Sequence, residues 1–144
     1  MILFDSNEIT LPVFDHELVR EWIVRVAESY SKEVGRIAYL FCDDDYILEA
    51  NRQYIGHDYY TDVITFDYSH DNHISGDILL SVDTVRTNAE KFGESNNREL
   101  LRVIIHGVLH LCGLKDKEPG EREKMEAAEN KALDMIDVNA VFPQ

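Results

Sequence analysis

The sequence predicts an α+β domain in which about five helices pack against a mixed sheet of about four strands. Three observations lead to this fold class. The chain has 144 residues, a length that suits one domain with a buried core. Short runs rich in β-branched and aromatic residues alternate with longer segments of helical periodicity. No repeat, low-complexity tract or long linker interrupts the chain, so we expect a single domain over residues 1–144.

The first part of the chain predicts two strands and two helices. Residues 2–5 and 35–43 have the composition of strands. Between them, one face of a helix carries residues four positions apart, namely Leu18, Trp22, Val26 and Tyr30. Residues 43–56 begin with aspartates that could cap a helix and end on a glycine, so we expect a second helix there.

The middle of the chain predicts two strands followed by a helix. Residues 62–68 and 73–81 have strand composition, and the polar sequence Ser-His-Asp-Asn between them is typical of a turn. Ser81 is a candidate N-cap for a helix over residues 82–93, which ends at Gly93.

Two further helices complete the predicted fold. Residues 96–113 are strongly apolar, and the helix that they predict ends at Gly113. Residues 118–137 predict a last helix that begins at Pro119, because proline suits the first helical turn. We expect this helix to bury Met125, Ala128 and Leu133.

Composition limits the class of function. The formal net charge is −14, whereas proteins that bind nucleic acid are usually basic, so composition alone argues against RNA or DNA as a partner. RNA binding would need a local basic patch or a bound cation. No apolar run is long enough to span a membrane, and the N-terminus does not resemble a signal peptide. Cys42 and Cys112 lie in apolar runs, and reduced thiols in a cytoplasmic protein fit best.

Two histidines interrupt the most apolar predicted helix. His106 and His110 lie four positions apart, on one helix face, at the spacing that lets two imidazoles reach one metal ion. Each could instead form a hydrogen bond to the backbone. Burial of two imidazoles without strong partners is costly, however, and a metal ion would offset that cost.

The residues after the helix favour the metal. Gly113 can adopt the left-handed conformation that turns the chain back, so Asp116 could return to the same ion. Three protein ligands are typical of a catalytic zinc site. We therefore expect His106, His110 and Asp116 to hold one zinc ion, with nickel or another divalent transition metal as an alternative. Zinc proteases place their general base directly after the first histidine, but this chain has Gly107 there.

Three segments, in order, resemble the YbeY-type endoribonucleases, which are maturation factors for ribosomal RNA. The segment HGVLHLCGLKD resembles the family hallmark H-G-x-L-H-L-x-G-x-D-H. The segments NRQYIGHDYYTDVITFDY and SGDILLS resemble the family's middle segment and its G-D-I-x-I-S strand. The sequence departs from the family at three positions, with Asp116 where a third histidine is usual, Ile55 where an arginine is usual, and Tyr60 in place of proline.

The resemblance implies a single-strand-specific, metal-dependent endoribonuclease that matures the 3′ end of the small-subunit ribosomal RNA and takes part in ribosome quality control. Its substrate would be a ribosomal RNA precursor, and a small-subunit ribosomal protein or an Era-type GTPase could be a partner. We expect it to bind neither a membrane nor DNA. The alternative is a non-catalytic ribosome-assembly factor with a structural metal. The open three-ligand site favours the enzyme, whereas Ile55 and the net charge of −14 favour the alternative.

The general base is not identified by the sequence. Glu99 lies two helical turns before His106 on the same face, where it could orient a ligand or simply favour the helix start. Asp62 matches a family position but could equally form a hydrogen bond at a strand start. Three basic residues could contact phosphates, namely Arg52, Lys115 and Lys117. Solvated surface charge is the commoner role for such residues. Histidines expected in exposed loops are His57, His70 and His73.

Overall fold

A computed structural model describes residues 1–55 and 62–143, and for Tyr54 and Ile55 it describes the backbone alone. The strands are β1 (Ile2–Ser6), β2 (Glu33–Cys42), β3 (Val63–Asp67) and β4 (His73–Ser81). The helices are α1 (His16–Ser29), α2 (Asp44–Ala50), α3 (Val82–Phe92), α4 (Asn96–Leu111), α5 (Glu121–Leu133) and α6 (Val138–Val141). The prediction of an α+β fold is confirmed.

The four strands form one mixed sheet in the order β1-β2-β4-β3. β1 and β4 both lie parallel to β2, while β3 lies antiparallel to β4, with Val63 opposite Leu80. The predicted pairing of the two middle strands is therefore confirmed. Parallel neighbours need a crossover connection, and α1 supplies it between β1 and β2. β3 forms the edge of the sheet next to the candidate site.

Helix ends follow the predicted capping chemistry. The Ser81 hydroxyl accepts a hydrogen bond from the Thr84 backbone N–H at 3.3 Å, and Gly93 ends α3 with a φ of 68°. Only glycine adopts that left-handed conformation without steric cost. In the same way, the Ser95 hydroxyl caps α4 by accepting from the Arg98 N–H at 3.1 Å.

The helices differ from the prediction in three respects. The helix expected over residues 43–56 ends as α2 at Ala50, and a π-helical turn, Asn51–Ile55, follows it. α5 begins at Glu121 rather than Pro119, because Gly120 at its N-cap has a φ of 88° and breaks the helix before that point. The described residues contain six helices rather than about five. The additional helix, α6, has four residues and is too short to show periodicity.

α4 is the central helix of the core. It is buried on nearly all sides, and its neighbours are the sheet, α1, α3, α5 and α6. The Tyr39 hydroxyl of β2 donates to the Ile104 carbonyl at 2.8 Å. A Cβ atom at Gly107 would lie 2.8 Å from Cδ1 of Ile78, so glycine allows α4 to approach β4 closely. Among the residues described, no helix is both long and apolar enough to cross a membrane.

Gly76 provides a test of this packing. A Cβ atom there would lie 2.5 Å from the Phe66 carbonyl oxygen and 2.9 Å from Cδ2 of Leu111. The backbone of the paired strand cannot move aside without breaking the sheet. We expect Gly76→Ala to lower the free energy of unfolding by about 1–3 kcal/mol, as measured by urea denaturation. The control is Glu90→Ala on the exposed face of α3, which should change it by less than about 0.5 kcal/mol. Equal stability of the two variants would contradict the close approach.

Candidate metal centre

Three predicted ligands converge at the end of α4. Nε2 of His106 lies 3.3 Å from Oδ2 of Asp116, and Nε2 of His110 lies 3.4 Å from the same oxygen. One ligand atom from each residue falls within 4.8 Å of the other two. All three side chains are half-buried. The structure therefore brings together the three residues that the spacing of the motif selected.

The turn after α4 returns Asp116 to the two histidines. Gly113 has a φ of 104°, and its N–H donates to the His110 carbonyl at 2.9 Å. The next N–H, that of Leu114, donates to the Leu109 carbonyl at 3.0 Å, which closes the helix end. These two bonds reverse the chain within one helical turn, so the left-handed glycine proposed from the sequence is present.

Each imidazole is oriented through its second ring nitrogen. Nδ1 of His106 lies 2.6 Å from Oε2 of Glu129, and Nδ1 of His110 lies 2.9 Å from the Leu114 carbonyl oxygen. Both partners accept hydrogen bonds, so each Nδ1 carries the proton and donates it. The lone pair of each Nε2 is then free and faces Asp116.

A buried ionic cluster lies behind His106. Nη1 of Arg102 donates to Oε1 of Glu129 at 3.0 Å, and Nη2 donates to Oδ1 of Asn130 at 2.8 Å. Nε of Arg102 lies 3.6 Å from Oε1 of Glu99. Burial raises the pKa of Glu99 to about 7, although Arg102 opposes this shift. Glu99 therefore contacts Arg102 within the cluster and reaches His106 only indirectly.

Burial and charge act in opposite directions on His106. Burial is the largest single effect and lowers its pKa, but the hydrogen bond and charge of Glu129 together with the charges of Asp62 and Asp116 outweigh it, so the pKa lies above the usual histidine value. The imidazole thus occupies a strongly negative environment, which favours a bound cation.

The three ligands open into a groove of about 530 Å³. One wall is the edge strand β3, and the other is the loop after α4. The lining residues beside the ligands include Asn51, Asp62, Thr65, Lys115 and Lys117. Both lysines are exposed and flank Asp116 in sequence. The carboxylate of Asp62 accepts a hydrogen bond from Asn88 at 3.3 Å, and burial raises its pKa above the usual value.

The other basic residues and histidines singled out in the sequence are not among the three ligands. Arg52 forms an ion pair with Glu49 at 3.9 Å. His70 and His73 face each other at the exposed end of the β3–β4 pair, and Nε2 of His73 lies 2.9 Å from Oε2 of Glu33. His57, Tyr60 and the side chain of Ile55 lie outside the described residues.

Glu129 and Arg102 belong to the site but to none of the sequence motifs that predict it. A signal for Glu129 was available, since it occupies the middle of an apolar series with Met125 and Leu133, four positions from each. A carboxylate at such a position must find a partner when the helix face is buried. Arg102 lies four positions before His106 and so shares its face of α4.

The donor set fits a divalent transition metal. Two imidazole nitrogens and one carboxylate oxygen are ligands that zinc accepts, and their common groove leaves room for a further ligand. Gly107, at the position of the general base of zinc proteases, lies against the sheet. A side chain at Gly107 would point at Ile78 in the sheet and not at the ligands.

Comparison with known proteins identifies the family. A family model described as Endoribonuclease YbeY matches residues 3–137. A protein named Endoribonuclease YbeY from Phocaeicola vulgatus is 59% identical over 136 residues, which cover 94% of this chain and 99% of the relative. One of the same name from Bacteroides thetaiotaomicron is 57% identical over 134 residues, covering 93% and 98%.

A solved structure supports the same conclusion. The solution structure of TM1509 from Thermotoga maritima is similar with a TM-score of 0.63 and 27% sequence identity. The match covers 93% of this chain and 87% of that one. The resemblance noted in the sequence is thus confirmed along nearly the whole chain, and the protein belongs to the YbeY endoribonuclease family.

Proposed function

We propose that this protein is a single-strand-specific endoribonuclease that acts on ribosomal RNA precursors in the cytoplasm. The whole chain, residues 1–144, would work as one metal-dependent hydrolase domain. The observation that carries the proposal is the convergence of His106, His110 and Asp116 in one groove of a chain that belongs to this family.

The proposed cofactor is one zinc ion, which His106, His110 and Asp116 would hold. When bound, a divalent ion would polarise a phosphodiester oxygen and would lower the pKa of a bound water to about 7. The chain itself holds both imidazoles in the tautomer that exposes Nε2. Asp116 contributes a negative charge, which partly neutralises the ion and makes it a weaker Lewis acid than a three-histidine site would.

Local charge reconciles RNA binding with an acidic protein. The net charge of −14 repels phosphate at a distance, so contact must be confined to the groove. Lys115 and Lys117 stand on the rim beside Asp116, and neither forms an ion pair with another residue of the described part of the chain. Together with a bound cation, they would give the groove its positive charge.

A second candidate is a non-catalytic ribosome-assembly factor that carries the same metal for structural reasons. The net charge of −14 favours it, because an acidic body suits a basic small-subunit ribosomal protein or an Era-type GTPase with a basic surface. Ile55, where the family usually has arginine, also favours it. A metal-dependent cleavage assay separates the two candidates.

The metal site is tested first by substitution of Asp116. We expect Asp116→Ala to weaken zinc binding about 100-fold or more. Loss of a residue that only orients a ligand costs about 10–100-fold in metal affinity, and loss of the ligand itself should cost more. Asp116→His should retain or strengthen binding, since it restores the third imidazole. Affinity is measured by competition with a chelating dye. The matched control is Glu118→Ala, an exposed acid two residues away in the same loop. Tight zinc binding by Asp116→Ala would remove Asp116 from the site.

The nuclease activity is tested with zinc-loaded protein and a single-stranded RNA that spans a ribosomal RNA 3′ end. We expect cleavage by the parent protein and at least about 100-fold slower cleavage by His110→Ala, since a metal ion supplies several kcal/mol of transition-state stabilisation. His73→Ala, at a residue that pairs with Glu33 and does not line the groove, is the control and should cleave normally. If the parent binds zinc but does not cleave, the assembly-factor candidate is preferred.

Salt dependence tests how the RNA is bound. Two groove lysines would neutralise about two phosphates, so the slope of log K against log salt should be about −1.4 for single-stranded RNA. Binding should depend more on zinc than on salt. RNA affinity is measured with and without zinc across a salt series. Tight, zinc-independent binding with a steep slope would contradict an RNA site confined to this groove.

A further inference from the structure

We propose that Glu129 is the positioning residue of the metal centre, holding His106 in the one tautomer and orientation that can bind a metal ion. This inference rests on the proposed metal site. Glu129 lies on α5, outside the sequence motif that contains the three ligands. It acts through His106 and does not face the groove directly.

The geometry around the carboxylate carries the inference. Oε2 lies 2.6 Å from Nδ1 of His106, while Oε1 accepts from Nη1 of Arg102 at 3.0 Å. Glu129 is 8% exposed, so its carboxylate is largely shielded from water. Each carboxylate oxygen has a protein partner. Arg102 is itself fixed by Asn130 on α5 and by Glu99 on α4. The carboxylate therefore has little freedom to turn.

This arrangement determines which ring nitrogen of His106 carries the proton. An ionised carboxylate accepts hydrogen bonds and cannot donate them. The Glu129 oxygen lies 2.6 Å from Nδ1, whereas the Asp116 oxygen lies 3.3 Å from Nε2, so the shorter contact favours Nδ1 as the protonated nitrogen of a neutral His106. Nε2 then keeps its lone pair and faces Asp116 at 3.3 Å. A carboxylate behind a metal-binding histidine also increases the basicity of the ligand nitrogen.

The two histidines differ in the group that accepts the hydrogen bond from Nδ1. Nδ1 of His110 donates to the uncharged carbonyl of Leu114, which belongs to the turn after α4. Nδ1 of His106 instead donates to a buried carboxylate from another helix. His106 is therefore the ligand whose properties depend on packing between α4 and α5. His110 serves as an internal control, because Glu129 is not its partner.

Arg102 helps to hold Glu129 in place. Glu99 and Glu129 both lie beside Arg102, and without that cation the two buried carboxylates would repel each other. Arg102 thus holds the Glu129 carboxylate in place as the acceptor that orients His106. The row from Asn130 through Arg102 and Glu129 to His106 connects the packing of α5 with the metal-binding nitrogen.

The inference is tested with Glu129→Gln, which keeps size and shape but removes the charge. Zinc affinity, measured by dye competition, should fall about 10–100-fold, as for other carboxylate partners of metal-binding histidines. The matched control is Glu126→Gln, an exposed glutamate one turn earlier on α5, which should bind zinc like the parent. Unchanged zinc affinity in Glu129→Gln would overturn the inference.

A second measurement needs no zinc. Nitrogen-15 NMR of the histidine rings is recorded on the metal-free parent, at a pH where both imidazoles are neutral. We expect His106 as the Nδ1–H form, with a downfield, slowly exchanging proton. In Glu129→Gln the His106 ring should become a mixture of tautomers, while the signals of His110 stay unchanged.

The two measurements separate the possible failures. His106 in the Nε2–H form in the parent, or equal changes at His106 and His110 in Glu129→Gln, would show a merely structural glutamate and overturn the inference. A parent that binds no zinc but shows the expected His106 tautomer would overturn the proposed metal site and leave the orienting role of Glu129 supported.

Discussion

The close approach of α4 to β4 is the constraint on which the rest of the structure depends. Gly107 makes this approach possible, because any side chain there would collide with Ile78. The residues on either side of Gly107 in the helix then have fixed directions. The apolar ones fill the core, and His106 and His110 are left facing the groove beside β3. The glycine that replaces the general base of zinc proteases thus has a packing role.

A row of polar side chains runs along one face of this buried helix. Glu99, Arg102, His106 and His110 are spaced three or four residues apart, so they follow one another along α4. Burial of these groups is costly unless each has a partner. Glu129 and Asn130 of α5 supply partners for Arg102 and His106. At the groove end of the row, Asp116 lies beside both histidines, where the proposed metal ion would bind. The stability of the helix pair and the readiness of the metal ligands are consequently parts of one network.

The charge of the protein and the charge of its site have opposite consequences. A net charge of −14 disfavours contact with RNA over most of the surface, while negative groups around His106 favour a cation at the ligands. Two exposed lysines beside Asp116 add positive charge at the same place. In the proposed function, this combination would confine RNA contact to a small area, and it would leave the acidic remainder of the surface for basic protein partners.

The sequence by itself determined the fold class, the strand pairing in the middle of the chain and the three candidate ligands. These features depend on local rules, since a four-residue spacing places two imidazoles on one helix face and a glycine turns the chain after it. The π-helical turn after α2, the start of α5 at Glu121 and the short α6 were not apparent, because local signals there are weak or compete. Only the tertiary structure revealed Glu129, which is 23 residues from His106 and reaches it through the packing of α5 against α4. Such contacts depend on burial, because a carboxylate and an imidazole that are both withdrawn from water need hydrogen-bond partners. The spacing of residues along the chain does not show which two buried groups will be in contact.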